Sequence, residues 1–496
     1  MEHEADELQS APHDGRLVLE DRLRGKSLTV LSKSLVKPAS ETPSEKRWLA
    51  FSNLDLEWMP FYTPVLCAYR EKPAGKDVGD HLRESLRKAL ELFYPLAGRV
   101  VTGGEQGPGI DCNDAGAVFV EASIDADVDE VQFNEDFQPS FILTGMEAAG
   151  MGGYPKLPDK SSGRPGLIVQ LTHFRCGGIT VAFNWAHPVA DGYSGLHFLK
   201  SWAEIARGKE VSLLPVHERH LVKPRNPNVL SNPFPGVPER PDGNGDLTHD
   251  LHIKDTGRNS GEEKKFIEGK AEEKETSLIV QVIEISGRDV GNLKREVENG
   301  VSVAMPRLSR VSCVSAHLWR ALVKARNLPG ADFTRFWMLV EGRKKFSVPM
   351  GYFGNVLGSR IATTTVSDLL NKPLAFSAHL IQAAVQQATK DWYQDIVDWM
   401  EAKQDMERPG QVFGSEHECG ASWQNRFPYY ELDFAFGAPL CAMRNANGGW
   451  NGFVIVLPSN QNSENYTAMV HATPEVMERF IPLLHNFNHS SQLISS

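Results

Sequence analysis

The chain has 496 residues, of which 41% are hydrophobic and 23% are charged, as in ordinary soluble globular proteins. This balance excludes global disorder and fibrous repeats, and the length suggests two or three domains. With 52 Lys and Arg against 63 Asp and Glu, the net charge of −11 argues against nucleic acid or an anionic membrane as the main partner.

Cysteine spacing and the first residues predict the compartment. The six cysteines are scattered, with no CxxC pair and no spacing typical of metal ligands, so we expect free thiols in a reducing compartment and no metal site. The opening MEHEADELQSAPHDGR lacks the basic and then apolar segments of a secretory signal, and no stretch of about 18 consecutive apolar residues occurs. These features predict a cytoplasmic protein.

Hydrophobic periodicity in the first half predicts strands mixed with amphipathic helices. Residues 1–24 show no periodic pattern and are expected to form a disordered tail. The predicted elements that follow are a strand at 28–36, a helix at 80–93, a pair of strands across 111–122, a hairpin of strands 167–174 and 179–185, and a helix at 194–206. They belong to an expected N-terminal domain at 25–214.

Residues 215–277 are rich in proline and then in glycine and charged residues, so they supply little apolar surface. We interpret them as a long crossing loop between two domains, because a structureless loop of this length inside one domain would be unusual. The second half, 278–496, has predicted strands at 278–285, 336–343, 430–434 and 452–457, and predicted helices at 287–297, 312–326 and 474–484. We therefore expect two α/β domains of related construction.

One histidine has the sequence context of a catalytic group. His187 and Asp191 stand four residues apart in HPVADG, between a hydrophobic strand and a helix, where Gly192 would let the backbone bend tightly. A histidine with its ordinary pKa of about 6.5 can accept a proton at cellular pH, and a nearby carboxylate can orient it or hold the loop. The spacing alone fits a structural histidine better, and the placement after a hydrophobic strand and before glycine makes the two interpretations equally good.

Five segments of this sequence resemble, in order and spacing, the BAHD family of acyl-CoA-dependent acyltransferases of plant specialised metabolism. They are YPLAGRV, HPVADGYSGLHFLKSWAEIARG, VEGRKKF, GYFGNVLG and ELDFAFGAP. The resemblance covers nearly the whole chain. The segments SNLDL, DCNDAGAVF and LSRVSCVSAHLWRAL are similar to the branch with coniferyl alcohol acyltransferase-like and hydroxycinnamoyltransferase-like enzymes.

The resemblance implies a fold like that of chloramphenicol acetyltransferase, with two mixed-sheet domains and a channel between them that reaches the histidine from both sides. His187 would be the general base that takes a proton from the acceptor during attack on the thioester, without a covalent acyl-enzyme. Acyl-CoA would be the co-substrate, a small phenolic or phenylpropanoid alcohol the acceptor, and no permanent cofactor would be required. A monomer is the family expectation.

The same resemblance implies structural roles for two charged residues. Asp191 is similar to a family aspartate that turns away from the substrate and pairs with an arginine. Arg343 in EGRKK matches that arginine, with Glu341 in place of the family's Asp. From the residues alone, a solvated arginine in a basic run is the alternative for Arg343.

A second family motif, DFGWG, reads DFAFG here, from Asp433 to Gly437. The resemblance implies a role in the fold and on the CoA side for this loop. Ala435 adopts a positive φ less readily than glycine, so the loop is expected to bend differently.

A third motif differs closer to the chemistry. Where hydroxycinnamoyl-transferring relatives commonly carry Thr-Ser-Trp, this chain has Ala421, Ser422 and Trp423. The Thr hydroxyl that can donate to the oxyanion is therefore missing, and Ser422, a backbone N–H or water would have to replace it. Trp423 is either a packing residue or a wall of the acceptor pocket.

Three further residues are candidates on the CoA side. Ser309 and Ser312 resemble a family segment that approaches CoA, because hydroxyls and free N–H groups at a helix start suit phosphate or carbonyl oxygens. An ordinary helix N-cap is the alternative for them. Asn355 belongs to the YFGN signature, which we interpret mainly as a packed turn near the channel.

Four functions stay open on the sequence. The first is transfer of an acyl group to a hydroxyl, and the second is transfer to an amine. The third is a catalytically silent family member that binds acyl-CoA or a metabolite as a regulator, which Ala421, Ala435 and Phe436 would support. The fourth is a lyase in which the same base removes a proton from a bound conjugate.

Overall fold

The computed structural model describes residues 16–18, 27–58, 62–71, 77–103, 105–130, 163–225, 278–299, 307–402, 415–444, 450–460 and 464–484. Of the predicted tail at 1–24, only 16–18 is described, as a strand, and the rest lies outside the described residues. The crossing loop predicted at 215–277 is described only up to residue 225. Within this part, Val216 pairs with Tyr352 through a single β-bridge.

Strands and helices are mixed along the whole described chain. The strands are β1 (Arg16–Val18), β2 (Ser27–Val36), β3 (Trp48–Ala50), β4 (Tyr62–Tyr69), β5 (Arg99–Val101), β6 (Gly109–Asp111), β7 (Ala117–Ile124), β8 (Arg164–Pro165), β9 (Leu167–Phe174), β10 (Ile179–Ala186), β11 (Ile279–Ile285), β12 (Phe333–Glu341), β13 (Leu357–Thr365), β14 (Glu418–Trp423), β15 (Cys441–Arg444), β16 (Phe453–Pro458) and β17 (Tyr466–Ala472). The α-helices are α1 (Asn53–Leu56), α2 (Val78–Leu92), α3 (Gly192–Ala206), α4 (Gly287–Asn299), α5 (Arg310–Arg326), α6 (Arg343–Phe346), α7 (Val366–Asn371), α8 (Leu374–Gln386), α9 (Lys390–Ala402) and α10 (Pro474–Leu484).

The first domain is built on a mixed sheet. Among the described strands its order is β1-β2-β7-β9-β10-β4-β15, with β7 and β9 parallel and the other neighbours antiparallel. One edge strand, β15, comes from the second half of the chain. Helices α2 and α3 cover one face, where Phe183 and Trp202 meet edge to face at 5.6 Å. Strand pairing between β15 and β4 therefore joins the two halves of the chain within one sheet.

The second domain repeats this plan with a mixed sheet of its own. Its order among the described strands is β11-β17-β16-β14-β12-β13, and β12, β14 and β16 run parallel. Helix α5 packs against α8 and α10 over one face. On the other face Phe453, Ile455 and Leu457 belong to the same hydrophobic cluster as the first sheet. The expected α/β architecture of two similar mixed-sheet domains is confirmed.

Two predicted strand features are wrong. The strands across 111–122 do not pair with each other, because β6 joins a separate small sheet with β3, β5 and β8, while β7 lies inside the first sheet. No strand forms at 430–434. Tyr429–Glu431 make a 3-10 turn, and the amide of Asp433 donates to the Glu431 carbonyl at 2.8 Å, which closes a tight turn there.

In the part of the chain that the structure describes, no helix is both long and apolar enough to span a bilayer.

Candidate active site

The candidate base, His187, directly follows strand β10. All eight residues of that strand are buried, so the strand fixes the position of the loop that follows it, residues 187–191, which we call the histidine loop. The His187 side chain is half-buried. Its Nδ1 is buried and has no hydrogen-bond partner among the described residues. The Asn355 side chain donates to the His187 carbonyl at 2.9 Å, which ties the loop to the second domain.

The surroundings of His187 keep its imidazole neutral. Burial lowers its pKa to about 4, and this effect exceeds the opposing effect of the Asp191 charge. The charge of Arg444 lowers the pKa further. An imidazole with this pKa is unprotonated at cellular pH, which is the state that a general base requires.

The carboxylate of Asp191 is occupied by groups other than the imidazole. Its two oxygens accept from the two terminal nitrogens of Arg343 at 2.8 and 3.0 Å. They also accept from the backbone amides of Ser194 at 2.8 Å and Val356 at 3.0 Å. Asp191 is therefore both the N-cap of α3 and a buried contact between the domains.

Arg343 completes this ion pair on the second domain. Its guanidinium is fully buried and donates to Glu341, to the Ser194 hydroxyl at 2.7 Å and to the Gly354 carbonyl at 2.9 Å. Burial by itself raises the pKa of Asp191, but Arg343 outweighs it and holds that pKa below its usual value. The pair is thus ionised and its hydrogen-bonding capacity is filled, which is the condition for a buried ion pair to be tolerated.

A second buried ion pair supports the histidine loop, and sequence reasoning missed it. Asp55 accepts from Arg219 at 3.2 Å and from both the backbone and the side-chain nitrogen of Asn355 at 2.9 Å. Arg219 in turn donates to the Val189 carbonyl at 2.8 Å. The signal was present as the segment SNLDL, in which Ser52 and Asp55 form a capping box around α1. Nothing local, however, indicated the partners.

The expected role of Gly192 in a tight bend is wrong. Gly192 is the first residue of α3 and its φ lies outside the left-handed region. A Cβ built on it would lie 3.2 Å from the ring of Phe427. This position therefore requires a small residue and does not depend on the backbone freedom of glycine. Gly195 shows the same requirement more strongly, because a Cβ there would lie 2.1 Å from the Trp185 ring.

Strand β14 directs its side chains to two different faces. Ala421 is buried in the cluster beneath α5, and the indole N–H of Trp423 donates to the Ser315 hydroxyl of α5 at 2.9 Å. Since side chains alternate along a strand, Ser422 lies on the opposite face, paired beside Ile455, which packs with the first domain. Ala421 and Trp423 therefore share the face that α5 covers, and Ser422 lies on the face toward the first domain.

Ser309 and Ser312 begin helix α5. The Ser309 hydroxyl accepts from the amide of Ser312 at 3.0 Å, which makes Ser309 the N-cap, and the Ser309 amide donates to Gln382 at 2.9 Å. Ser309 is exposed and Ser312 is buried. These contacts describe an ordinary helix start, and the structure gives no contact between either serine and the histidine loop.

The DFAFG segment lies at the far end of helix α3 from the histidine loop. Asp433 accepts from Arg207, the C-cap of α3, at 3.3 Å and from the Gly437 amide at 2.9 Å. A helix of 15 residues is about 22 Å long, so Asp433 and Gly437 are remote from His187. Phe434 is buried against Phe183 and Trp202, and this segment therefore anchors the second half of the chain to the first domain.

Within the described ranges no group of three or more His, Cys, Asp or Glu side chains is placed to hold a metal ion. The groups assembled here are a neutral imidazole and two buried ion pairs that hold its loop, which can support proton transfer to and from a bound substrate.

Comparison with known proteins gives the family. A model described as the transferase family matches residues 26–483, most of the chain. The chain belongs to the BAHD family of acyl-CoA-dependent acyltransferases. This BAHD protein is therefore an acyltransferase, as the motif resemblance predicted.

Several curated relatives cover this BAHD chain almost completely. A hydroxycinnamoyl-CoA:5-hydroxyanthranilate N-hydroxycinnamoyltransferase of Avena sativa is 31% identical over 93% of this chain and 100% of its own length. A shikimate O-hydroxycinnamoyltransferase of Nicotiana tabacum is 30% identical over the same shares. One relative is thus named for an amine acceptor and the other for a hydroxyl.

Solved structures share the fold of this BAHD chain at low sequence identity. Vinorine synthase superimposes with a TM-score of 0.66 at 20% identity, covering 92% of this chain and 98% of its own. TRI101 of F. sporotrichioides, solved with coenzyme A and T-2, gives a TM-score of 0.64 at 16% identity, with 87% and 96% covered. These likenesses establish the two-domain fold.

Proposed function

We propose that this enzyme transfers a hydroxycinnamoyl-type acyl group from its CoA thioester to the hydroxyl of a small phenolic or phenylpropanoid acceptor. The donor is supported by relatives about 30% identical over their whole lengths that are named hydroxycinnamoyltransferases. Coenzyme A as the carrier is supported further by its presence in a solved protein of the same fold.

In this proposal His187 is the general base. Its neutral imidazole takes the proton of the acceptor hydroxyl as the acceptor oxygen attacks the thioester carbonyl carbon. The C–O bond forms and the carbonyl π electrons move to oxygen, which gives a tetrahedral oxyanion. When the oxyanion collapses, the C–S bond breaks and the CoA thiolate takes the proton from the imidazolium, so that the base is regenerated.

The separation of roles between His187 and Asp191 carries the proposal. The imidazole is half-buried, neutral and has an unpaired Nδ1 among the described residues, while the carboxylate is fully engaged by Arg343 and two backbone amides. A neutral base beside an occupied carboxylate suits direct proton abstraction from a substrate. In this proposal Ser422, on the face toward the first domain, supplies a donor near the oxyanion.

An amine acceptor is the second candidate, because the same base can accept a proton from nitrogen as the amine attacks the thioester. The Avena sativa relative named as an N-hydroxycinnamoyltransferase favours it. The hydroxyl acceptor is supported by the tobacco relative, which is named a shikimate O-hydroxycinnamoyltransferase.

The test is thioester consumption by the purified chain. Hydroxycinnamoyl-CoA is supplied with a pool of hydroxyl acceptors or with a pool of aminobenzoates, and free CoA thiol and acylated products are quantified. Release of CoA that requires the hydroxyl pool supports the proposal. Release only with the aminobenzoates establishes N-acylation, and turnover of a conjugate without CoA establishes a lyase.

Two variants link the turnover to the base. His187→Ala should lower kcat by about 10² to 10⁴, the usual worth of a general base, while the circular dichroism spectrum is unchanged. The control is His220→Ala, which removes an imidazole whose side chain is 71% exposed on the surface and contacts Glu218 at 3.6 Å. An unaltered rate in His187→Ala removes His187 from the mechanism.

A further inference from the structure

Trp58 covers the imidazole of the candidate base. Its ring lies parallel to that of His187, with centroids 4.9 Å apart and planes inclined by 20°. Trp58 is 5% exposed, so the indole shields the face of the imidazole that it covers from water. None of the motifs that relate this chain to its family includes Trp58.

The indole is held by the same short helix that holds the histidine loop. The backbone amide of Trp58 donates to the Asp55 carbonyl at 3.2 Å, just after α1. The side chain of Asp55 accepts from Asn355, whose amide nitrogen also donates to the His187 carbonyl at 2.9 Å. Trp58 and the backbone of His187 are therefore positioned from one anchor, and a shift of α1 would move both.

Among the described residues, no polar contact of the indole explains its position. Its Nε1–H is buried and has no hydrogen-bond partner among the described residues. A buried N–H without a partner is unfavourable, so a residue selected only for packing would more simply be apolar and lack that group. Among the described residues, the aromatic contact of this ring is the stack on His187.

Two opposite effects of an aromatic ring on an imidazole can be compared here. The π face attracts the protonated imidazolium, whereas exclusion of water disfavours it. Burial is the larger effect at His187, because its pKa is lowered to about 4. The charged groups around it are Asp191, which opposes this shift and is itself neutralised by Arg343, and Arg444 on β15, which adds to it. Asp55 is likewise paired, with Arg219.

We propose that Trp58 is a positioning residue for the transfer reaction, whose indole fixes the plane of the His187 imidazole and keeps water from its covered face. This inference rests on the proposed function in that it gives His187 the role of base. Any flat aromatic ring at position 58 can provide the stack, and a small aliphatic side chain cannot.

Three proteins test the inference, namely the wild type, Trp58→Phe and Trp58→Ala. Trp58→Phe keeps a ring and is expected to retain kcat within a few-fold. Trp58→Ala is expected to lower kcat by on the order of 10²-fold, the usual effect of a misplaced catalytic group, with little change in either KM. Trp58→Leu is the substitute if the alanine variant fails to fold.

The second readout is the protonation of His187 itself, followed by NMR titration of the imidazole and assigned by its loss in His187→Ala. In Trp58→Ala the pKa should rise from about 4 toward the ordinary value, and the acid limb of the kcat/KM profile should move with it. The inference is overturned if Trp58→Ala keeps the wild-type kcat and the wild-type pKa of His187. It is also overturned if Trp58→Phe loses as much kcat as Trp58→Ala. If the wild type turns over no acyl-CoA, the proposed function fails, and the titration still tests the contact between Trp58 and His187.

Discussion

Asp191 and Arg343 meet through two hydrogen bonds of 2.8 and 3.0 Å although 152 positions separate them in the chain. The carboxylate is also the N-cap of the helix that follows His187. One bidentate contact therefore fixes the start of this helix and joins the first domain to the second. Both carboxylate oxygens are occupied by these hydrogen bonds, so we expect Asp191 to contribute to stability and not to proton transfer.

Asp191→Asn should lower the free energy of unfolding, and any loss of activity should follow from this loss of stability. It leaves the buried guanidinium of Arg343 paired only with Glu341, and breaking a buried pair costs about 3 to 5 kcal/mol. Urea unfolding followed by circular dichroism measures this loss. Glu84→Gln, which breaks an exposed pair with Lys88, is the control and should cost at most about 0.5 kcal/mol. A variant as stable as wild type but inactive would assign Asp191 a chemical role.

Ala421→Thr should fail to improve the enzyme. The family pattern suggests that a threonine hydroxyl is missing at this position, but Ala421 is fully buried beneath α5 on the face away from the first domain. Extra atoms there must displace packed neighbours, at a cost of about 1 to 3 kcal/mol. We expect a lower melting temperature and an unchanged or lower kcat. A several-fold rise in kcat would contradict the placement of Ala421 on the helix-covered face.

Local sequence patterns predicted much of the structure around the histidine. The apolar segments on either side of RCGG form the hairpin of β9 and β10, because the β-branched residues and the turn act within a few residues of one another. The following helix was predicted at 194–206 and is observed at Gly192–Ala206 for the same reason. The remaining difference is the N-cap, which is Asp191 itself.

Contacts between distant segments could not be read from local patterns. Asp55 lies 164 positions from Arg219 and 300 from Asn355, so its part in holding the histidine loop depends on how the two domains pack. Strand β15 joins the first sheet although it belongs to the second half of the chain, since its register is set by β4. The side-chain orientation in β14 could not be predicted for a related reason. The sequence of one strand does not show which face of the sheet the helices cover.

Stability should fall as the pH drops from about 6.5 to about 4, partly through His317. This side chain is fully buried in α5, and burial lowers its pKa to about 4. In that window the unfolded chain, with a histidine pKa of about 6.5, binds more protons than the folded chain, so acid favours unfolding. His317→Gln removes this contribution and should narrow the difference in urea midpoint between pH 7.5 and pH 5. His220→Gln on the surface is the control, and equal pH dependence in wild type and His317→Gln would refute the assignment.

Ala435→Gly should stabilise the DFAFG loop. Ala435 has φ of +73°, in the left-handed region that disfavours L side chains by about 1 to 2 kcal/mol. Glycine removes this strain and gives back about 0.5 to 1 kcal/mol through its greater freedom in the unfolded chain, so the net gain is expected to be at most about 1.5 kcal/mol. Gly437→Ala is the matched opposite. Its φ is +84° and a Cβ there meets nothing within 4 Å, so the loss measures backbone strain less the same unfolded-chain term, with no steric contact added. The two substitutions should shift the melting temperature in opposite directions, and a decrease for Ala435→Gly would show that the alanine side chain makes a favourable contact that exceeds the strain.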